Sequence, residues 1–153
     1  MIKISSQMLM LIPLALMIGI AMAIQTAINS QLSDRLHSPL QAGLFSFFVG
    51  TIILAGLVYF QTAPKPSLQT LLHLPWYLWL GGFLGVYAIS MSIYAAPKLS
   101  FLTFSGLVIF GQILMSMMLD QFGWLGVEKT AVNWQRLLGA LFILVGVVFT
   151  LQR

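Results

Sequence analysis

The chain has 153 residues, 59% of them hydrophobic and only 7% charged, where an ordinary soluble domain carries about 25% charged residues. Such a chain cannot clothe a water-facing surface, which excludes a soluble globular domain, and the absence of cysteine excludes disulfides, thiolate metal sites and cysteine nucleophiles. The formal charge of +4 comes from seven Lys/Arg against three Asp/Glu, scattered singly without a patch or stripe, so no nucleic-acid partner is expected and the charges read as span flanks facing lipid headgroups.

Crossing the hydrocarbon core takes roughly 20 apolar residues as helix. Five segments come close, at about 8–28, 40–60, 76–96, 101–119 and 134–151, all within a single domain over 1–153. Lipid offers no partner to a bare backbone amide, so a spanning segment must be helical or part of a closed barrel. These runs are continuous rather than alternating, which argues against barrel strands. The expected fold is an all-α membrane protein, a bundle of five transmembrane helices in contact with the bilayer.

The first span follows Lys3. Its Ala21-Met22-Ala23 resembles a secretory cleavage site, but apolar character continues to Ile28, so an uncleaved span is the simpler account. Gln25 and Asn29 stand four apart and share a helix face. The polar stretch from Ser33 to Pro39 separates the first two spans. The second span carries Ala42, Ser46 and Gly50 at four-residue spacing, and Thr62 to Ser67, with Pro64 and Pro66, ends it. The third has Gly81 and Gly85 as a GxxxG with Ser92 on the same face, and Tyr87 and Tyr94 seven apart. Pro97 to Ser100 reads as a tight turn, making spans three and four antiparallel neighbours. Ser105, Gln112 and Ser116 form a polar stripe on span four. A longer loop, Asp120 to Asn133, leads to span five, where Arg136 must snorkel outward and Gly139 and Gly146 share a face.

Small-residue faces let helix backbones approach closely and signify packing. The amides say more, because a primary amide without partners in an apolar medium costs several kcal/mol. These side chains should turn inward, either as interhelical hydrogen-bond glue or as the lining of a substrate or water cavity. No Asp or Glu falls within the expected spans; Asp120, at the end of the fourth, is the closest carboxylate. His37 and His73 lie in loops on opposite sides and cannot share a metal. No nucleotide loop, nucleophile elbow or carboxylate pair appears, so no enzyme, catalytic residue, metal or cofactor is expected.

Five crossings put the termini on opposite sides. Lys3, Lys65, Lys129 and Arg136 share the N-terminal side, and Arg35, Lys98 and Arg153 the other. A four-to-three split gives little instruction under the positive-inside rule. It fits a weakly biased protein with its N-terminus inside, or dual topology with copies paired head to tail. Trp76, Trp79, Trp124 and Trp134 all fall on the N-terminal side, so one copy furnishes a single aromatic belt and an antiparallel pair would furnish both.

The series Gly19, Gln25, Asn29 and Leu32; Ser38-Pro39, Ala42, Ser46-Phe47 and Gly50; Pro75-Trp76-Tyr77 and Trp79-Leu80-Gly81-Gly82; Gly111-Gln112, Ser116, Asp120 and Phe122 to Gly126; and Arg136, Gly139 and Gly146-Val147 resembles, in order, the YdcZ family of the drug/metabolite transporter superfamily. One departure is Lys98-Leu99-Ser100, where a Leu-Gly pair is expected after Pro97. The resemblance implies five spans per chain and an inverted pair mimicking the ten-span carriers, each chain being half of an inverted-repeat assembly. On that footing the chain is expected to be a multi-pass protein of the bacterial inner membrane. It would act as an antiparallel homodimer that transports, and by this reading exports, a small organic solute. An accessory or half-transporter subunit needing a hetero-partner, and a small dual-topology channel, are the rivals. The resemblance hands over no binding residues. From the polar stripes and inward-facing groups, Gln25, Asn29, Ser46, Tyr94, Ser105, Gln112 and Ser116 are the candidate substrate-lining residues.

Overall fold

A computed structural model describes residues 6–151. Lys3 and Arg153, two of the charges in the orientation count, lie outside the described residues. The described chain is helical, with α1 (Ser6–Leu36), α2 (Pro39–Phe60), a short α3 (Leu68–Leu72), α4 (Leu80–Leu99), α5 (Phe101–Phe122) and α6 (Trp134–Leu151). A 3-10 turn at Trp76–Trp79 leads into α4 and another at Trp124–Gly126 follows α5. Five segments are long and apolar enough to cross a membrane: Leu11–Leu36, Pro39–Phe60, Trp76–Leu99, Phe101–Phe122 and Trp134–Leu151. Exposed Leu, Ile, Val and Phe side chains run the length of these helices. In water that surface would aggregate; in lipid it is the solvated face.

The helices overrun the apolar stretches. α1 continues through Ser33, Asp34 and Arg35 to Leu36, so residues read as a connection are helical. The reason is that apolarity marks the hydrocarbon, whereas backbone hydrogen bonding continues into the headgroup layer. Arg35 in the last turn also complements the negative end of the helix dipole. By the same overrun Asp34 and Asp120 belong to α1 and α5, correcting the expectation that no acid lies within a spanning helix. Only His37 and Ser38 separate α1 from α2. His37 takes a left-handed φ of 55°, Ser38 accepts a hydrogen bond from Gln41 N at 3.3 Å, and Pro39 occupies the first turn, where its missing N–H costs nothing.

Pro97 lies inside the last turn of α4, so the turn to α5 is tighter than the four residues read from sequence: Ser100 alone makes it. Ser100 has φ 74° and ψ 145°, a region that glycine adopts freely and other residues rarely. Its hydroxyl caps α5 through Thr103 N at 3.3 Å. At the far end of α5, Gly123 (φ 66°) supplies the left-handed cap, its N–H bonded to Leu119 O at 2.8 Å.

The chain divides into two compact units, Met1–Ala95 and Ala96–Arg153. In the first, α1 and α2 form a hairpin around fully buried Ala42 and buried Asn29 and Ser30. α4 brings buried Ser90 and Ile93, with Ser90 Oγ and Ile89 Cγ2 reaching the Gly43 backbone on α2 and Gly85 facing the Phe47 ring. In the second, α5 and α6 pair with Val147 against Gly106 and Thr103 bonded to Thr150 O, and Ala140 is also buried. The small residues that pack are therefore only partly those expected. Gly50, Gly81, Gly139 and Gly146 face open space, and the close approach on α5 is made by Gly106. On α6 the packed residues Ala140 and Val147 are one position on from Gly139 and Gly146, about 100° further round the helix.

Candidate functional site

The first unit holds a cleft of about 130 Å³ between α1 and α4. Met22, Gln25, Thr26 and Asn29 form one wall, and Ala88, Ile89, Ser92 and Ile93 the other. Four-residue spacing on α1 brings Gln25 and Asn29 to this one face, as the sequence predicted. No charged side chain lines it. Depth follows from helix geometry. Gln25 stands ten residues before Arg35, about 15 Å at 1.5 Å per residue, which is half of a hydrocarbon core of about 30 Å.

The polar groups of the cleft differ in what they have left to offer. Thr26 donates its hydroxyl proton to Met22 O at 2.9 Å, and Ser92 donates to Ala88 O at 2.7 Å. Both donors are spent within their own helices. Asn29 is buried and donates from Nδ2 to Ser46 Oγ at 3.1 Å, which ties α1 to α2 and fixes the amide in place. Gln25 is exposed and has no hydrogen-bond partner among the described residues. It presents an uncommitted amide, two donors and a carbonyl, near the mid-depth of the membrane.

The remaining expected residues are distributed as follows. Ser46 is half-buried on α2 and stands behind Asn29 rather than in the cleft wall. Tyr94 is 52% exposed on α4, outside the cleft wall. Ser105, Gln112 and Ser116 belong to the second unit. Ser105 is half-buried. Gln112 is exposed at the centre of α5, eleven residues from Phe101 and ten from Phe122, again without a partner among the described residues. Ser116 lines a separate cleft of about 290 Å³ between the end of α5 and the start of α6, with Ile113, Met117, Asp120, Arg136 and Gly139.

That second cleft contains a pair the sequence reading missed. Arg136 Nη1 donates to Asp120 Oδ2 at 2.8 Å. Read from the sequence, Asp120 is a lone carboxylate and Arg136 a lone snorkelling cation. The available signal was their placement near facing ends of consecutive antiparallel helices, which puts them at one depth. Asn133 Oδ1 accepts from Arg136 N at 3.0 Å and Gln121 Oε1 from Val132 N at 2.8 Å, so the connecting loop is stitched to the same end. At the opposite end, Ser100 Oγ donates to Thr103 Oγ1, which donates to Thr150 O at 2.9 Å.

Chemically, the first cleft offers neutral hydrogen bonding between apolar walls and no group poised for acid–base or nucleophilic work. A family model described as "Putative inner membrane exporter, YdcZ" matches residues 10–149. No curated protein and no solved structure matches the chain.

Proposed function

The chain belongs to the YdcZ family of inner membrane exporters, a multi-pass protein of that membrane, and on that premise we propose that it carries a small organic solute past Gln25 and Asn29 as an antiparallel homodimer. The observation that carries this reading is the uncommitted Gln25 amide near mid-depth. Leaving such a group without partners in hydrocarbon costs several kcal/mol, so a solute, water or a second subunit must satisfy it. Gln112, exposed at the centre of α5 in the second unit, is a second uncommitted amide and by this reading also meets the solute, with Ser105 and Ser116 flanking it on α5. The absence of charge in the cleft wall suits a neutral or weakly cationic solute, held by amide hydrogen bonds and apolar contact. Alternating access would come from one half of the dimer rocking against the other.

The antiparallel arrangement draws support from charge and tryptophan placement. Among the described residues, Lys65, Lys129 and Arg136 fall on one side of the five crossings and Arg35 and Lys98 on the other, a weak bias. Trp76, Trp79, Trp124 and Trp134 are exposed, and by the count of five crossings they fall on a single side, so a head-to-tail pair would complete an aromatic belt at both surfaces. Because the chain has no cysteine, single cysteines placed in the loops at 61–67 and 127–133 report sidedness directly.

Solutes accumulating outside cells that express the protein, compared by mass spectrometry with cells expressing Gln25→Ala or Gln112→Ala, test the site. The expected result is one solute, or a narrow chemical set, enriched by the unaltered chain and reduced about two- to tenfold by Gln25→Ala, the scale of one lost neutral hydrogen bond. Unchanged efflux in both variants, at equal membrane abundance, removes these residues from the path.

A further inference from the structure

The cleft at the end of the α5–α6 hairpin has features that transport does not use. It lies wholly within the second unit and shares Ser116 with the proposed solute path, but Asp120 and Arg136, which carry the reading below, have no part in that path. Asp120 and Arg136 meet through one contact, Nη1 to Oδ2, rather than a two-pronged fork. The guanidinium carries five N–H donors. Among the described residues its remaining donors, and Asp120 Oδ1, have no protein partner. Both side chains are partly open, 41% for Arg136 and 34% for Asp120. Below the pair the cleft is mostly apolar, lined by Met117, Ala140, Ile143 and Ile113, with Ser116 the one polar side chain among them. Ile113 stands seven residues before Asp120, about 10 Å deeper along the helix. Nothing lies within 4 Å of a Cβ built on Gly139, so the floor is open. Exposed Trp134 begins α6 at headgroup depth.

We propose that this cleft seats an ethanolamine phospholipid, its phosphate on Arg136, its ammonium on Asp120 and the upper part of an acyl chain along Met117 and Ile143. Charge selects the headgroup. A cation and a carboxylate side by side complement a zwitterion. The loop charges next to them, Glu128 and Lys129, cancel and add no bias toward an anionic lipid. A phosphatidylglycerol headgroup would satisfy Arg136 and leave its uncharged glycerol, beside its single anionic phosphate, against the Asp120 carboxylate. A choline headgroup has the right charge but no N–H to donate. The ethanolamine ammonium supplies three donors to a carboxylate with a free oxygen, the strong charge-assisted class of hydrogen bond.

The test uses the full chain in nanodiscs of matched acyl composition, headed by phosphatidylethanolamine, its N-methyl and N,N-dimethyl forms, phosphatidylcholine or phosphatidylglycerol. Lipid retained on release is counted by native mass spectrometry. The expected result is retention about tenfold greater for ethanolamine than for choline, ~1.4 kcal/mol, falling with each added methyl. Asp120→Asn and Arg136→Gln should erase the preference and Glu128→Gln, outside the cleft, should keep it. Equal retention across the methylation series, stronger retention of phosphatidylglycerol, survival of the preference in Asp120→Asn, or its loss in Glu128→Gln would each overturn the assignment. If Asp120→Asn does not accumulate, the methylation series on the unaltered chain still decides.

Discussion

The two helical hairpins place their polar groups at opposite depths. In α1–α2 the tie is Asn29 to Ser46, well inside the membrane, and the neighbouring Gln25 amide is left open. In α5–α6 the ties are at the ends: Ser100, Thr103 and Thr150 at one, Asp120 with Arg136 and Gln121 with Val132 at the other. The middle of that seam is apolar, Gly106 against Val147. Polar groups at a helix end can trade with water and cost little to keep. Polar groups at depth have no such alternative, so a chain that retains them there is using them. The α5–α6 seam is thus fastened where water can help and the α1–α2 seam where water cannot, and on the reading proposed above the open amides Gln25 and Gln112 are the groups left for recognition.

The largest effect is expected where the apolar seam is tightest. A Cβ at Gly106 would stand 2.9 Å from Val147 Cγ2. Val147 is buried and, being β-branched, holds essentially one rotamer in a helix, so it cannot step aside. Gly106→Val should cost roughly 1–3 kcal/mol, the range for overpacking, read as a fall in thermal unfolding temperature in detergent. Gly146→Val, whose Cβ meets open space, should stay within about 0.5 kcal/mol. Equal losses in the two variants would mean that the seam runs along the other face of α6.

These two glycines also show how far the sequence could be read. The five helices were legible because each apolar run is long enough to cross and too continuous for a barrel. The pairing of Gln25 with Asn29 on one face followed from spacing alone. Which small residue packs was not legible: a glycine pattern names a face, and one position's shift turns it by about 100°. Helix ends were misjudged at Leu36 and Phe122 because composition reports lipid and not hydrogen bonding. Cross-helix ties were recoverable. Across a short turn, residues equidistant from it share a depth, and Asn29 lies eight residues before His37 as Ser46 lies eight after Ser38. Counted inward from the open end of the second hairpin, at Phe101 and Leu151, the same rule holds to within one position for Thr103 with Thr150 and Gly106 with Val147. What no rule of spacing supplies is whether Gln25 is occupied, because its partner is not in the chain.

An intermediate effect sharpens the contrast of depth. Asn29→Leu removes the bond to Ser46, and Thr103→Val removes the bond to Thr150 O. Each should cost about 0.6–2 kcal/mol, the range for hydrogen bonds between membrane helices. Their functional consequences should part. Asn29→Leu also strips the amide from the cleft wall and is expected to abolish efflux, whereas Thr103→Val should leave efflux near the unaltered level once membrane abundance is matched. Loss of efflux in both would show that the end ties, and not only the deep ones, serve the transport cycle.

The smallest effect concerns the one-residue turn. Ser100 pays for a glycine-like backbone with its cap: φ 74° strains a residue bearing a Cβ, while its hydroxyl satisfies Thr103 N and donates to Thr103 Oγ1. Ser100→Ala keeps the strain and loses the cap, about 1 kcal/mol. Ser100→Gly loses the cap and sheds the strain. Glycine at an N-cap costs only a few tenths of a kcal/mol relative to serine, and relief at a positive φ offsets it, so this variant should unfold within about 0.5 kcal/mol of the unaltered chain. The ordering Gly above Ala, measured by thermal unfolding of the two variants side by side, separates backbone strain from capping. If alanine proves as stable as glycine, the turn is relaxed; if both also match the unaltered chain, the hydroxyl contributes nothing, and the end of the α5–α6 seam is then held by Thr103 and Thr150 alone.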